Sequence, residues 1–325
     1  MSHYSRDTHG GSADGTAGEL AARPLRMVVI ALAWGSCFVL IMWGMRDAPL
    51  LWFAALRALA AGAALLAATV LSRSAGRRFP RGGGAWALIT VLALTNVTLT
   101  FGAMFASVTG ATTGVAAVLS NSTPLLVVLP AWWLYGERPR VAVSVGVAMG
   151  FGGLLLVAAP SGGGRGAALA LVAALGVTTG ALLARRLSGV DLLMLGAGQF
   201  LLGGAVLALI ALLIDGPPTT VTWSVRFTVI LAVLALAGTA LPYLLWFSEL
   251  RRATLTSVTA WTLLVPVISV VLGATVLRER LTLLDGLGDA IVLAALAVVA
   301  HANRTGRQTI LPPTGESPHP GNGGQ

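Results

Sequence analysis

The sequence of 325 residues contains no lysine and only one cysteine, Cys37. A Walker A loop requires a lysine, so no ATP-driven pump is encoded, and a lysine Schiff base is equally impossible. A single cysteine allows neither a disulfide within the chain nor a cysteine-based metal cluster. Three of the four histidines lie in polar tails, the fourth ends an apolar run, and no HExxH pattern occurs. We therefore expect no ATP, no metal and no cofactor.

Charged residues are also scarce, at 10% of the chain against roughly 25% in an ordinary soluble domain. Hydrophobic residues make up 56%, and the mean hydropathy is +0.85. A soluble fold of this size could not bury so much apolar surface, so we expect an integral membrane protein. The net charge of +9 does not indicate a nucleic-acid partner, because the arginines form short clusters between apolar runs, as membrane topology signals do.

Ten apolar runs are separated by short connections, and each is long enough for a membrane-spanning helix of ~20 residues. The strands of a membrane barrel would instead be ~10 residues of strict alternation. The sequence therefore predicts an all-α membrane protein of ten helices between two disordered tails, residues 1–22 and 304–325. The runs are 27–45, 50–72, 85–107, 111–135, 142–159, 167–184, 192–214, 227–248, 255–277 and 283–302.

The arginines predict the orientation of these ten helices. With a cytoplasmic N-terminus, fifteen arginines fall on the inner side and five on the outer side, while Arg57 lies within the second helix. Positive residues concentrate in cytoplasmic segments. We therefore expect a multi-pass protein of the bacterial inner membrane with both termini in the cytoplasm.

The two halves of the chain are related by a constant offset of 142 residues. A repeat of five helices is odd, so the second copy must enter the membrane from the opposite side. Inverted repeats around a site at the midplane are typical of secondary transporters. We therefore predict repeats at 27–159 and 167–302. The matched positions include Pro124 with Pro266, 137–138 with 279–280, Gly146 with Gly288, and Arg57 with Gln199.

Several short motifs lie within the predicted helices or directly after them. They are 33–38 (AWGSCF), 55–57 (ALR), 122–124 (STP) with 136–139 (GERP), and 264–266 (LVP) with 278–281 (RERL). With these motifs the chain resembles the EamA-type, ten-helix branch of the drug/metabolite transporter superfamily over residues 27–302. This resemblance implies ten helices, cytoplasmic termini and movement of small metabolites or amino acids, often as efflux. The related four-helix exporters couple protons through a glutamate in their first helix, and neither 27–45 nor 167–184 contains an acid, so that mechanism is not implied here.

Pro124 and Pro266 lie near the middle of two predicted spans. A proline inside a helix leaves the carbonyl four residues earlier unpaired, here those of Ser120 and Thr262. In lipid such a carbonyl must face protein or a wet cavity. We therefore predict two helix kinks that line a central pathway; the alternative is a packing kink satisfied by neighbouring helices.

Arg57 is the only ionisable residue well inside a predicted span, ~10 Å from its start by the helical rise. One interpretation is a contact for an anion or carboxylate, or a gate. The other is a structural arginine that bonds backbone carbonyls or extends towards the membrane surface. The residue type and its depth support both interpretations.

Other polar and aromatic residues at mid-depth are candidates for substrate binding or for the cavity wall, although they could equally bond or pack between helices. Asp285 and Asp289 share one helix face and could couple a proton, but we favour solvated acids that pair with nearby arginines. The candidate cavity residues are Trp34, Ser36, Arg57, Asn96, Asn121, Ser122, Gln199, Tyr243, Trp246, Trp261 and Thr262.

These features predict a secondary transporter, in the direction of export, for small organic metabolites such as amino acids or drug-like compounds. Alternating access would occur around a central cavity, and the partners would be a small-molecule substrate and membrane lipid, with the protein a monomer. An intramembrane enzyme is disfavoured, because no histidine or acidic pair lies at depth, and no catalytic residue is predicted. A membrane scaffold that transports nothing is the alternative function.

Overall fold

The computed structural model describes residues 22–71, 82–110, 113–136, 140–158, 164–186, 190–276, 278 and 283–308. Within these ranges the secondary structure is helical, with no β-strand. Residues 1–21 and 309–325, which include most of both predicted tails, lie outside the described residues, as do residues 137 and 279 of the repeated motif.

Fourteen α-helices follow one another in the described chain, with two π-helical segments and two short 3₁₀ turns between them. The α-helices are α1 (Pro24–Gly44), α2 (Leu50–Leu71), α3 (Gly83–Leu92), α4 (Thr100–Ser107), α5 (Thr113–Ser120), α6 (Thr123–Tyr135), α7 (Val141–Ala158), α8 (Arg165–Arg186), α9 (Leu192–Ile214), α10 (Val225–Ala235), α11 (Leu241–Leu250), α12 (Leu255–Ala260), α13 (Leu264–Val276) and α14 (Leu283–Gln308). The π segments are Ala93–Leu99 and Leu236–Ala240, and the 3₁₀ turns are Pro218–Thr220 and Trp261–Leu263.

Seven helical stretches within the described residues are long and apolar enough to cross a membrane, which makes this a multi-pass membrane protein. The other three predicted spans correspond to the interrupted pair α5–α6, to α7 and to α14. The seven stretches are Pro24–Gly44, Leu50–Leu71, Gly83–Ser107, Arg165–Leu183, Leu192–Ile214, Val225–Leu250 and Leu255–Val276.

Local sequence signals explain several helix ends. Asp191 precedes α9, and its Oδ1 accepts hydrogen bonds from the backbone N–H groups of Leu193 and Met194, at 3.0 and 3.2 Å. The Ser224 hydroxyl caps α10 in the same way. At the other end of a helix, Gly136 adopts a φ of 67° directly after α6, a left-handed conformation that ends helices and suits glycine.

The span that contains Pro124 is interrupted, whereas the sequence predicted a kink within one helix. Helix α5 ends at Ser120, and α6 begins at Thr123, so Pro124 lies in the first turn of a new helix. A proline is tolerated there because the first turn has no use for its missing N–H. Pro266 likewise lies at the third position of α13, after the 3₁₀ turn Trp261–Leu263. Both prolines therefore start a helix after an irregular turn.

The two π segments occur at nearly matched positions of the two halves. Adding the 142-residue offset to the segment Ala93–Leu99 gives residues 235–241, which contain the second segment, Leu236–Ala240. A π-helical bulge disturbs the regular bonding pattern of a helix and often accompanies a functional site. Apolar periodicity does not reveal such a bulge, and the sequence analysis predicted uninterrupted helices here.

Helices α2 and α9 pack closely through glycines on both sides. A Cβ atom on Gly62 would lie 2.9 Å from Cγ of Leu201, and one on Gly204 would lie 3.0 Å from Cγ of Leu59. Residue numbers rise along one helix as they fall along the other, so the two helices are antiparallel. The offset of 142 converts each of these contacts into the other, as at a two-fold interface.

Helices α7 and α14 are also antiparallel and closely packed. A Cβ atom on Gly153 would lie 2.7 Å from the carbonyl oxygen of Gly288, while Arg140, near the start of α7, donates to the carbonyl of Ala302, near the end of α14. Small residues at such crossings let the helix backbones approach, which is the main source of helix association in lipid.

A buried carboxylate, which the sequence analysis did not single out, anchors the start of α1. Glu249, near the end of α11, is fully buried. Its Oε2 accepts a hydrogen bond from the backbone N–H of Arg23 at 3.1 Å and one from Arg252 at 2.6 Å, and Oε1 pairs with Arg26 at 3.4 Å. Glu249 therefore joins α1, α11 and the turn after α11. In the same turn, burial lowers the pKa of Arg251, and the Asp191 carboxylate opposes this shift.

We expect Gly62→Ala to destabilise the protein, because the added Cβ would press on the backbone nitrogen and side chain of Leu201. Overpacking of this kind costs about 1–3 kcal/mol. Thermal unfolding in detergent measures the loss. The matched control is Gly152→Ala, where no heavy atom lies within 4 Å of the new methyl group. Equal melting temperatures for the two variants would contradict the close α2–α9 contact.

We expect Glu249→Gln to lower stability, because the amide keeps the size of the side chain but removes the charge that pairs with Arg26 and Arg252. Hydrogen bonds to a charged group are worth about 1.5–3 kcal/mol, and partial exposure of the arginines lowers this figure. The control is Asp47→Asn, which removes the charge from an ion pair with the more exposed Arg226 and should cost about 0–1 kcal/mol. The prediction fails if both variants unfold at the same temperature.

Candidate functional site

A small cavity lies at mid-depth between the two halves of the chain, and its volume is about 70 Å³. Its wall is formed by α1, α2, α4 and α8, by the interruptions beside α6 and α13, and by α11. The lining residues are Trp34, Cys37, Phe38, Arg57, Thr100, Phe101, Met104, Ser120, Asn121, Thr123, Ala173, Val177, Tyr243, Trp246, Thr262 and Val265.

Among the described residues of this lining, Arg57 is the one that carries a charge, and only 2% of it is exposed. Its Nε donates to Oγ1 of Thr239 at 2.8 Å, and its Nη2 donates to the carbonyl oxygen of Gly238 at 3.2 Å and to Sγ of Cys37 at 3.3 Å. The guanidinium carbon lies 4.8 Å from the ring centre of Phe101, within cation–π range. One nitrogen, Nη1, is buried and has no hydrogen-bond partner in the described structure.

The contacts of Arg57 support one element of each of its two interpretations, the structural arginine and the ligand contact. It bonds a backbone carbonyl, as a structural arginine would, and it does not extend to the membrane surface. Arg57 also lines the cavity, and it keeps one buried nitrogen without a partner in the described structure, as a ligand contact would. None of the ion pairs in the described structure includes Arg57. A charge at the centre of a membrane helix costs roughly 2.5–3.5 kcal/mol, so an arginine without a carboxylate is unusual.

The π segment Leu236–Ala240 explains why these partners are available. Gly238 and Thr239 belong to it, and Gly238 has no side chain to block the approach, since a Cβ atom there would lie 2.9 Å from Sγ of Cys37. We did not predict Cys37, Phe101 and Thr239 as neighbours of Arg57. The one signal in the sequence for the contact between Arg57 and Gly238 is that the 142-residue offset pairs Gly238 with Asn96.

Aromatic rings form one wall of the cavity. The ring centres of Trp34 and Tyr243 are 5.5 Å apart, and those of Trp34 and Trp246 are 5.2 Å apart. Behind them, Phe200 meets Tyr243 edge to face at 4.9 Å. Such pairs hold one another in fixed orientations and offer apolar faces to a ligand. Of the predicted cavity residues, the structure thus brings Trp34, Tyr243 and Trp246 together.

The interruption between α5 and α6 supplies polar groups to the opposite wall. The Ser120 hydroxyl is buried and has no partner in the described structure. The side-chain amide of Asn121 donates to the carbonyl of Ala117 at 2.7 Å, and Thr262, another lining residue, donates to the carbonyl of Thr259. The side-chain nitrogen of Asn121 and the hydroxyl of Thr262 thus already bond the backbone, whereas the Ser120 hydroxyl does not.

Asn96 and Gln199, two predicted cavity residues, bond each other instead of lining the cavity. Nδ2 of Asn96 donates to Oε1 of Gln199 at 3.1 Å, and both side chains are buried. Asn96 also packs on Gly180 of α8, since a Cβ atom on Gly180 would lie 2.6 Å from Oδ1 of Asn96. The offset of 142 maps this pair onto Gly238 and Arg57. The two halves therefore contain matched polar contacts, and one of them includes a charge.

The remaining candidates lie outside the lining of the cavity. Ser36 donates to the carbonyl of Ala33 within α1, and Ser122, in the interruption before α6, donates to the carbonyl of Leu119 in α5. Trp261 is half-buried and packs against the main apolar core. Pro124 and Pro266 are buried but do not line the cavity. The side chains of residues 285 and 289 lie outside the described part of the structure, so the carboxylate pair stays a prediction.

A helical membrane protein with a buried, partly polar cavity at mid-depth has the form of a membrane transporter. The sequence pattern of the EamA-like transporter family matches residues 24–159 and again residues 164–300. The chain therefore belongs to the EamA-like transporter family, and it contains the family domain twice.

Three similar proteins support this assignment, each 27% identical to the chain. The uncharacterized transporter YvbV of Bacillus subtilis aligns over 85% of this chain and 90% of its own length. The uncharacterized inner membrane transporter YedA of Escherichia coli K12 aligns over 84% and 89%. A WAT1-related chloroplast protein of Arabidopsis thaliana aligns over 82% of this chain and 66% of its own length.

A solved crystal structure shares the fold of this chain. The two superpose with a TM-score of 0.72 at 21% identity, covering 86% of this chain and 97% of the other. At that identity the similarity concerns the architecture of the helices alone.

Proposed function

We propose that this protein is a secondary transporter that exports small organic metabolites across the bacterial inner membrane. The observation that carries the proposal is the cavity at mid-depth between the two copies of the family domain. In this proposal ten helices cross the membrane as two inverted sets of five, and the cavity opens to each side in turn. The solute gradient, or an ion gradient, supplies the driving force, because the chain has no lysine for a Walker A site.

Matched contacts between the copies support the inversion. Helices α2 and α9 occupy corresponding places in the two copies, and they are antiparallel where they cross at Gly62 and Gly204. The corresponding helices α7 and α14 are antiparallel as well. Copies related in this way point in opposite directions through the membrane, the arrangement that lets two halves exchange conformations in a transporter.

In the proposed orientation the two ends of the bundle differ in how they are closed. Glu249 joins the inner ends of α1 and α11 through two arginines, at a position where the first copy has Ser107. In the described structure the Ser107 hydroxyl donates to the carbonyl of Met104 within its own helix. An ionic contact therefore holds the inner end, and at the matched position of the outer end a serine takes the place of the carboxylate. We infer that opening to the cytoplasm requires the release of Glu249.

Cysteine labelling tests alternating access. In a Cys37→Ser background, which keeps an acceptor for Arg57, we expect Asn121→Cys to react with a membrane-impermeant maleimide from either side of a proteoliposome. Adding Glu249→Gln should raise the reaction rate from the inner side by about tenfold. This corresponds to a shift of ~1.4 kcal/mol in the equilibrium between the outward-open and the inward-open state.

The control for this labelling is Leu129→Cys, whose side chain is 70% exposed on the apolar surface and should meet lipid instead of the reagent. The transport activity of the Cys37→Ser background is measured first. Reactivity of Asn121→Cys from one side only, in every variant, would overturn alternating access. Absence of flux across a broad metabolite screen would instead favour the membrane scaffold.

The proposed topology makes a separate prediction. Thr219 lies in the turn after α9. In the Cys37→Ser background, we expect the variant Thr219→Cys to react with the impermeant reagent in intact spheroplasts. Arg186→Cys, at the end of α8, should react only after the membrane is permeabilised. Both positions are exposed in the structure, so access to water is not limiting. The reverse pattern would place both termini outside.

A further inference from the structure

We propose that the cavity binds an organic anion, specifically a small monocarboxylate with an apolar body, through Arg57 and the aromatic wall. This inference rests on the proposed transport function and narrows its substrate class. The amino acids and drug-like compounds expected from the sequence include zwitterions and cations, which the cavity is poorly equipped to hold.

Arg57 has a buried hydrogen-bond donor that no group in the described structure accepts from. Three of the hydrogen-bond interactions of Arg57 go to Thr239, Gly238 and Cys37, and none of these partners carries a negative charge. Nη1 has no partner in the described structure although it is buried. A buried guanidinium in this state is stabilised by an anion that both neutralises its charge and accepts from the free nitrogen.

The wall of the cavity carries no negative charge among the residues that the structure describes. This described lining includes no aspartate or glutamate, so it offers no carboxylate to a substrate ammonium group. The buried Ser120 hydroxyl adds a second free donor. Gln199 also has an unpaired side-chain nitrogen, but it does not line the cavity, and the site therefore depends on Arg57.

Aromatic rings can also hold a cation, so the wall formed by Trp34, Tyr243 and Trp246 has to be weighed against Arg57. A cation in this cavity would share a volume of about 70 Å³ with the fixed positive charge of Arg57 and would be repelled by it. An anion gains from the same charge, and its apolar body gains from the rings. A planar carboxylate also matches the planar guanidinium in shape.

Isosteric ligands that differ only in charge test this proposal on the purified full chain in detergent. Benzoate, benzamide and benzamidinium share one shape, and acetate, acetamide and acetamidinium form a smaller set. Equilibrium binding should rank the carboxylate at least about tenfold tighter than the amide in at least one set, with the amidinium weakest, since a charge-assisted hydrogen bond is formed. Equal binding within both sets, preference for an amidinium, or no binding of any carboxylate would overturn the proposal.

Variants then assign the preference to Arg57. Arg57→Gln should abolish the preference of carboxylate over amide, whereas Arg226→Gln, which removes an exposed arginine outside the cavity, should keep it. If Arg57→Gln does not fold, Arg57→Lys serves instead: it keeps the charge but loses the planar fork, so the preference should persist with weaker binding. A carboxylate preference that survives in Arg57→Gln would contradict the assignment.

Two outcomes separate this inference from the proposed function. Carboxylate binding without flux of radiolabelled carboxylate in proteoliposomes would leave the site in place and contradict transport. Flux of the amide or amidinium in preference to the carboxylate, with accessibility that alternates between sides, would leave transport in place and contradict the anion site.

Discussion

Backbone polar groups need partners inside a membrane, because the hydrocarbon offers no water to replace a lost hydrogen bond. This chain nevertheless interrupts its helices at the π segments and at the turns before Pro124 and Pro266. The irregular segments face protein or the cavity: Gly238 meets Arg57, and Ser120 and Thr262 line the cavity wall. Because these irregular segments need partners for their backbone groups, the buried polar groups around Arg57 and Ser120 lie together between the two halves, at mid-depth.

Close packing at glycines makes this arrangement possible. Gly180 admits Asn96, Gly238 leaves room for Cys37 and Arg57, and Gly62 with Gly204 bring α2 and α9 together. Each approach is tighter than a side chain would allow. Since apolar side chains gain little from leaving lipid for protein, these backbone contacts and the few buried hydrogen bonds are the interactions that distinguish the packed bundle from separate helices.

The long apolar runs between residues 27 and 302, together with the 142-residue offset between the two halves, were sufficient to predict an all-helical membrane protein with a doubled family domain. The charge of Arg57 and the aromatic residues Trp34 and Tyr243 could be selected by depth alone. Their partners could not, since a contact such as Arg57 with Thr239 joins residues 182 positions apart and depends on a π segment that leaves no trace in apolar periodicity. Glu249 was missed for another reason: beside Arg251 and Arg252 it resembles an ordinary charged loop.

The repeat also explains how a structural contact acquires a functional group. Asn96 with Gln199 and Gly238 with Arg57 are matched positions, and in each pair a polar side chain of the second or seventh span meets a π segment of the other half. In the first pair both partners are neutral amides that bond each other away from the cavity. In the second pair glycine replaces the asparagine, so the longer arginine bonds the backbone and also lines the cavity, and its Nη1 has no partner in the described structure. In the proposed anion site, this single charge makes the two matched positions chemically different, and it is the feature that would select among solutes.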